Sequence, residues 1–272
     1  MAAEQARLSE DVVLGGRLVL RQPLKGHRVG HDAILLAAAS SARPGDRVVD
    51  LGAGVGAAGL AVASRIEDLA MTLVEIDPAL AVLARENAAR NGLAERVRAV
   101  CLDVAAAPAA FTAAGLTPGA ADHVLMNPPF NAPQNPSPDR GRRLAHAATP
   151  ETLADWTRTA ARLLRPAGVV TLIWRADGLD VALAALTVDF GTIVVLPVHA
   201  KPDAPAIRVL SRGVKSGRAP LSLLPGFFLA DEEGRPTREA EAVLRGAALL
   251  SLAHSRKIKS AAAAQPLGIG RN

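Results

Sequence analysis

Four runs of aliphatic and β-branched residues end in an acid or an amide, and helical spacing resumes after them. Arg47–Asp50 leads through Leu51 into a glycine-rich turn, after which Leu60, Val62, Ala63 and Ile66 recur at helical intervals. Thr72–Asp77 is a second predicted strand, and Pro78–Asn91 is the clearest predicted helix. Val97–Asp103 is a third strand and Asp122–Met126 a fourth, which ends at Asn127. Strands alternating with helical stretches predict an α/β fold with a parallel sheet and ligands at its carboxyl edge.

The pattern continues with a helix over Glu151–Leu164, a strand over Val169–Trp174 and a helix over Leu179–Leu186. Thr192–Val198 and Ile207–Leu210 are the last two strands, and the turn Lys201–Pro205 between them suits an antiparallel edge pair. Ala33–Ala39 is short and apolar, a helix packed on the sheet. Residues 46–220 form the catalytic domain in this reading, and 221–253 an appendage with a helix from Thr237 to Arg245 capped by Thr237. Residues 254–272 have the composition of a flexible tail.

The turn after Leu51 reads Gly52-Ala53-Gly54-Val55-Gly56-Ala57. Glycines at 52 and 54 let the backbone turn tightly and approach a ligand, and the next helix N-terminus favours electronegative groups. Gly52, Gly54 and Ala57 formally satisfy the dinucleotide fingerprint, with Glu75 near the distance of a ribose-binding acid. Asp50 points elsewhere. A carboxylate at the strand tip repels a pyrophosphate but attracts the ammonium and sulfonium of S-adenosyl-L-methionine, which carries no phosphate. Glu75 is placed to accept both ribose hydroxyls, and Asp103 to bond an adenine amino group. Any one of these acids is commonly a helix cap; their order along the chain is the stronger signal.

Asn127-Pro128-Pro129-Phe130 closes the fourth strand. Proline fixes its own φ and biases the preceding residue towards extended geometry, so the pair makes a stiff turn with preset carbonyl directions. Rigid acceptors beside a flat ring suit a planar NH2 group, either the exocyclic amine of a base or a side-chain amide. The plainer reading is a strand-ending loop with two prolines.

These motifs together resemble the class I S-adenosylmethionine-dependent methyltransferases of the Asn-Pro-Pro-Phe/Tyr group. More narrowly they are similar to the bacterial tRNA(Val) adenine-37 N6-methyltransferases, from about Asp11 to about Leu252. The resemblance implies a doubly wound, Rossmann-like sheet of seven mostly parallel strands, the last antiparallel. Residues 1–45 would cover the cofactor, because Arg28–Leu36 matches the family's segment over the methionine end. That match assigns Arg28, Gly30 and Asp32 to the cofactor, although His31 stands where relatives commonly carry threonine. Asp50, Gly52, Ala53, Gly54, Glu75, Ile76, Asp103 and Val104 complete the implied cofactor site. Asn127, Pro128, Pro129 and Phe130 become the catalytic motif, with Phe130 keeping a tyrosine's ring and losing its hydroxyl. The implied reaction is methyl transfer to adenine N6 in the tRNA anticodon loop, with S-adenosyl-L-homocysteine as product.

Composition sets bounds. A chain of 272 residues suits one α/β domain of about 200–250 residues with small extensions. Half the residues are hydrophobic, yet no run reaches the roughly 18–20 apolar residues of a membrane span. The N-terminal stretch Met1–Arg7 has no signal-peptide character. The single cysteine, Cys101, is read as a small core residue and suits a reducing cytoplasm, and no metal-ligand spacing is present. Net charge is +5, with basic residues gathered at Arg140, Arg142, Arg143 and His146, and at Arg208, Arg212, Lys215 and Arg218. Lys25, His27 and Arg28 form a third group. Each is ordinarily a solvated face; around one pocket they point to RNA. His123 is read as a core or strand residue.

Three other activities fit the same tetrapeptide. A protein glutamine methyltransferase presents an amide NH2, but only 49 residues precede Asp50, too few for the helical recognition domain of that group. A DNA adenine methyltransferase usually needs a larger target-recognition insert. A guanine N2 rRNA methyltransferase is the nearest competitor. A cofactor-sensing RNA-binding scaffold would need neither Asn127 nor Phe130.

Overall fold

The computed structural model describes residues 8–24, 29–129 and 150–254. An antiparallel hairpin comes first, β1 (Leu8–Val13) with β2 (Leu18–Pro23). Next come α1 (His31–Ala39), β3 (Arg47–Leu51), α2 (Ala57–Arg65), β4 (Ala70–Glu75) and α3 (Pro78–Arg90). They are followed by β5 (Val97–Cys101), α4 (Pro108–Ala113) and β6 (Ala121–Met126). The second half holds α5 (Pro150–Leu163), β7 (Leu164–Arg175), α6 (Leu179–Leu186), β8 (Phe190–His199) and β9 (Ala206–Lys215). Two short strands, β10 (Ser222–Leu223) and β11 (Phe227–Phe228), precede α7 (Arg238–Leu244) and α8 (Ser251–His254).

Strands β10-β8-β9-β7-β6-β3-β4-β5 lie side by side in that order, and β11 also pairs with β8. All pairings are parallel except those of β9, which runs antiparallel to both β7 and β8. The seven longer strands, the last of them reversed, match the expectation. The appendage adds β10 and β11, and two-residue strands are too short to leave a periodic signal in sequence. After their first residues β3 and β4 are buried throughout, as parallel strands covered on both faces must be. Alternation divides the core. Leu73 and Leu125 pack with α1, α2, α3 and α7, whereas Val74, Val124 and Met126 pack with α4, α5 and α6.

Chain order reverses at β3, which has β4 on one side and β6 on the other. Connections leave such a point towards opposite faces, so a crevice opens at the carboxyl ends of the two strands. Leu51 is the register partner of both Val74 and Met126. The glycine turn, Glu75 and Asn127 therefore lie abreast on three neighbouring strands, each about 4.8 Å from the next.

The β1–β2 hairpin docks on α3 through two asparagines. Asn91 Oδ1 accepts the Val19 N–H at 2.9 Å, and its Nδ2 donates to the Val19 carbonyl at 2.7 Å. One turn earlier, Asn87 does the same for Arg21 at 2.8 and 3.0 Å, and also donates to the Val55 carbonyl at 3.0 Å. Residues four apart share a helix face, so this pair gives β2 a substitute strand edge and braces the glycine turn. Gln22 Oε1 in turn accepts the Val29 N–H at 2.8 Å, which fixes the approach to α1.

Local expectations fared unevenly. Thr237 caps α7 by accepting the Ala240 N–H at 3.0 Å, as predicted. Cys101 is not a core residue. It ends the edge strand β5 and is exposed, with Sγ 3.6 Å from the Ile76 carbonyl. The tail beyond His254 lies outside the described residues.

Candidate active site

The turn from β3 to α2 is built on left-handed backbone. Gly52 and Gly54 have φ of +68° and +57°, where a side chain is strained. Space above Gly54 is open within 4 Å of where a Cβ would stand. Glu75, buried at the end of β4, accepts the Gly54 N–H with Oε2 at 2.7 Å and the Asp77 N–H with Oε1 at 2.9 Å. It thus pins the turn while each oxygen keeps acceptor capacity for a further donor. Burial pushes the Glu75 carboxyl above its ordinary range, against the lowering effect of those N–H groups.

Asp50 is buried inside the turn and accepts the Gly59 N–H at 2.9 Å, in the first turn of α2. Desolvation is the main cause of a pKa raised to about 7, with the Glu75 charge adding to it. Two desolvated carboxyls beneath one turn create a place where a cation is favoured, because a positive ligand would restore both to ionised form. Asp77 is occupied as the cap of α3, and Asp103 accepts the Ala105 N–H at 2.8 Å from an exposed position. Ile76 is an exposed apolar side chain next to Glu75, and Val104 is buried with its carbonyl held by Thr159 Oγ1 at 2.9 Å.

Across the crevice stands Asn127. Its Oδ1 is buried and has no hydrogen-bond partner among the described residues. Pro128 is buried and Pro129 half-buried beside it. A buried acceptor left without a donor costs about 1–3 kcal/mol, so a site that keeps one has a use for it. Phe130, Arg140, Arg142, Arg143, His146 and Arg28 lie outside the described residues.

Several assignments change. Gly30 precedes α1 as its N-cap, but Asp32 accepts Arg208 Nε at 3.0 Å, so two residues assigned to different ligands bind each other. The basic run on β9 is not a cluster. From Arg208 to Lys215 the strand covers about 23 Å at ~3.3 Å per residue. Arg212 lies mid-strand, buried, with Nη1 on the Leu252 carbonyl at 3.0 Å, and it holds α8 to the sheet instead of facing RNA. Because β9 is reversed, Lys215 pairs with the first residue of β8, at the edge opposite the glycine turn, and donates to the Leu164 carbonyl at 2.7 Å. Arg218 is exposed beyond it at that far edge. Only Arg208 of the four lies at the carboxyl edge, opposite Arg175. His123 is buried on β6 with Nε2 3.3 Å from Asp46, in line with its expected core position.

A family model described as the methyltransferase small domain matches residues 28–196. The chain belongs to the methyltransferase small-domain family. It is an S-adenosyl-L-methionine-dependent methyltransferase with the Rossmann-like fold of that family. A Bacteroides thetaiotaomicron protein named tRNA1(Val) (adenine(37)-N6)-methyltransferase is 30% identical over 185 residues, 67% of this chain and 75% of the relative. A Porphyromonas gingivalis protein of the same name is 30% identical over 189 residues, 68% and 73% of the two chains. Among solved structures, a predicted O-methyltransferase from Agrobacterium tumefaciens superposes with a TM-score of 0.69 at 29% identity, covering 80% of this chain and 98% of that one.

The methyltransferase site fits its cofactor. The open space over Gly54, the two raised carboxyls and the acceptors left on Glu75 match a ligand that is cationic, rich in hydroxyls and free of phosphate. Among the described residues there is no group of three or more acids, histidines or cysteines placed to hold a metal, and no helix long and apolar enough to cross a membrane.

Trp156 on α5 was missed in the sequence. A Cβ at Gly52 would overlap its six-membered ring. The available signal was an aromatic one turn from Leu153 and Thr159, in a helix that follows the proline motif.

Proposed function

We propose that this methyltransferase methylates the exocyclic N6 of an adenine in tRNA, the anticodon-loop adenine of tRNA(Val) being the favoured target. The observation that carries the reading is the buried Oδ1 of Asn127 beside the glycine turn, without a hydrogen-bond partner among the described residues. Adenine N6 is a poor nucleophile because its lone pair is delocalised into the ring. With Asn127 Oδ1 accepting one N–H and a proline carbonyl the other, the nitrogen can pyramidalise and expose that pair. The cofactor supplies an activated methyl group on a sulfonium centre and a thioether leaving group. Asp50, Gly52, Ala53, Gly54, Glu75, Ile76, Asp103 and Val104 hold it, with Gly30 and the segment up to residue 45 over its methionine end.

Asn127 and the prolines orient the amine, and positioning supplies most of the acceleration without a strong general base. Phe130 stacks on a base turned out of its neighbours. Arg140, Arg142 and Arg143, next in sequence to the motif, and Arg208 at the carboxyl edge contact phosphates. The names of the curated relatives support the tRNA reading. The name of the Agrobacterium protein, an O-methyltransferase, favours a hydroxyl acceptor; a buried acceptor atom at the end of β6 suits a substrate N–H donor better. Such a substrate places the enzyme in the cytoplasm.

The test offers purified enzyme and methyl-labelled cofactor total tRNA, ribosomal RNA and a release factor in parallel. N6-methyladenosine in tRNA is the expected product. N2-methylguanosine in ribosomal RNA selects the guanine enzyme, and label only in the release factor overturns the RNA reading.

A further inference from the structure

We infer that Thr159 is a positioning residue for adenine recognition, acting on Asp103 through the peptide between Val104 and Ala105. Thr159 is buried on α5, and its Oγ1 donates to the Val104 carbonyl at 2.9 Å. Helical hydroxyls ordinarily turn back on a carbonyl of their own helix. Ser64, Thr112 and Thr157 do so here, at 3.0, 3.3 and 3.0 Å. Thr159 instead reaches out of its helix to the loop after β5. Arg162 Nη2 donates to the same oxygen at 3.4 Å. A guanidinium only donates, so the hydroxyl hydrogen is left for the carbonyl.

The Val104 carbonyl and the Ala105 N–H belong to one planar peptide and point in opposite directions. Ala105 gives that N–H to Asp103 Oδ1 at 2.8 Å. One rigid unit thus carries the hold of Thr159 to the Asp103 carboxylate. The Ala106 N–H, donating to the Asp103 carbonyl at 3.0 Å, closes the turn. Asp103 is exposed, and its Oδ2 keeps acceptor capacity for a further donor. The Leu102 N–H donates to the Glu75 carbonyl at 2.8 Å, which sets this turn beside the acid read as ribose-binding. The inference rests on Asp103 accepting the adenine amino group. Hypoxanthine carries a carbonyl oxygen in place of that amine and meets the carboxylate with repulsion.

Calorimetry with S-adenosyl-L-homocysteine and its deaminated analogue S-inosyl-L-homocysteine tests it. Wild type should prefer the adenosyl ligand about ten- to a hundredfold, the scale of a hydrogen bond to a charged group. Thr159→Val keeps the shape of the side chain and removes the donor. It should cut the preference by about fivefold or more, through weaker binding of the adenosyl ligand, and Thr159→Ser should keep it. Equal weakening of both ligands or an unchanged preference in Thr159→Val overturns the inference, as does a serine variant that behaves like valine. If the valine variant does not fold, Thr159→Cys, a weaker donor of similar size, replaces it and is read by the same outcomes. Asp103→Ala separates the two levels of the argument. An unchanged preference there, or none in wild type, removes Asp103 from adenine recognition and the inference with it. A preference lost there but intact in Thr159→Val overturns the inference alone.

Discussion

Replacing Asp50 with asparagine should make the protein more stable at neutral and alkaline pH. The carboxyl is buried, and its pKa stands at about 7 against an ordinary 3.8. Below about pH 4 it is protonated in both folded and unfolded chains. Between about 4 and 7 the unfolded chain gives up the proton while the folded one keeps it. Each pH unit there removes up to about 1.4 kcal/mol of folding stability. Above 7 both forms are ionised and the loss is complete. Asparagine keeps an oxygen for the Gly59 N–H and carries no charge. Urea unfolding of both proteins from pH 5 to 8 should show the variant gaining on wild type by about 3 kcal/mol, most of it before pH 7. Glu75 titrates in both chains, so its own contribution largely cancels in the difference. A cationic cofactor favours ionised Asp50, so donor affinity should rise more steeply between pH 6 and 8 in wild type than in the variant. A stability difference that does not change with pH, or that falls as pH rises, refutes the reasoning.

Glu75→Gln should weaken donor binding by about 1.5–3 kcal/mol in calorimetry, the scale of charge-assisted hydrogen bonds; an unchanged constant in a folded variant removes Glu75 from the site. Asn87→Ala strips β2 and the Val55 carbonyl of three side-chain partners. It should cost about 2–4 kcal/mol in urea unfolding, and a loss under 1 kcal/mol would show that the hairpin is held by its apolar face instead. Arg212→Met should lower stability and leave the salt dependence of tRNA binding unaltered. A shallower slope, by about 0.7 per lost single-strand phosphate contact, would return Arg212 to the RNA interface.

Central strands were legible because a parallel sheet needs apolar residues on both faces and a punctuating acid or glycine at its tip. Arg47–Leu51 and Thr72–Glu75 carry both signs. Two-residue strands such as Phe227–Phe228 carry neither, and they join β8 only because the appendage folds back on the sheet. The hairpin contact was invisible for a different reason. Asn87 and Asn91 read as ordinary polar positions of a helix, and nothing local shows that a strand 66 or 72 residues away completes their hydrogen bonds.

The basic run from Arg208 to Arg218 misled because proximity in sequence was taken for proximity in space. An extended, reversed strand instead carried its charges from one sheet edge to the other and buried one of them. In the candidate site the acids at the strand tips were legible from spacing, but their burial was not. Asp50 and Glu75 act first as buried props for backbone N–H groups, and it is that burial, against the lowering effect of the N–H groups, that makes their carboxyls titrate high.

The central claim is that Asn127 acts on the amine and not on the cofactor. Its most direct test is single-turnover methyl transfer to tRNA by Asn127→Ala, with donor affinity measured on the same preparation. The account predicts a donor dissociation constant within about threefold of wild type and N6-methyladenosine formation slowed by about 10²–10³, the scale of a lost transition-state hydrogen bond. A variant that methylates tRNA at the wild-type rate contradicts it.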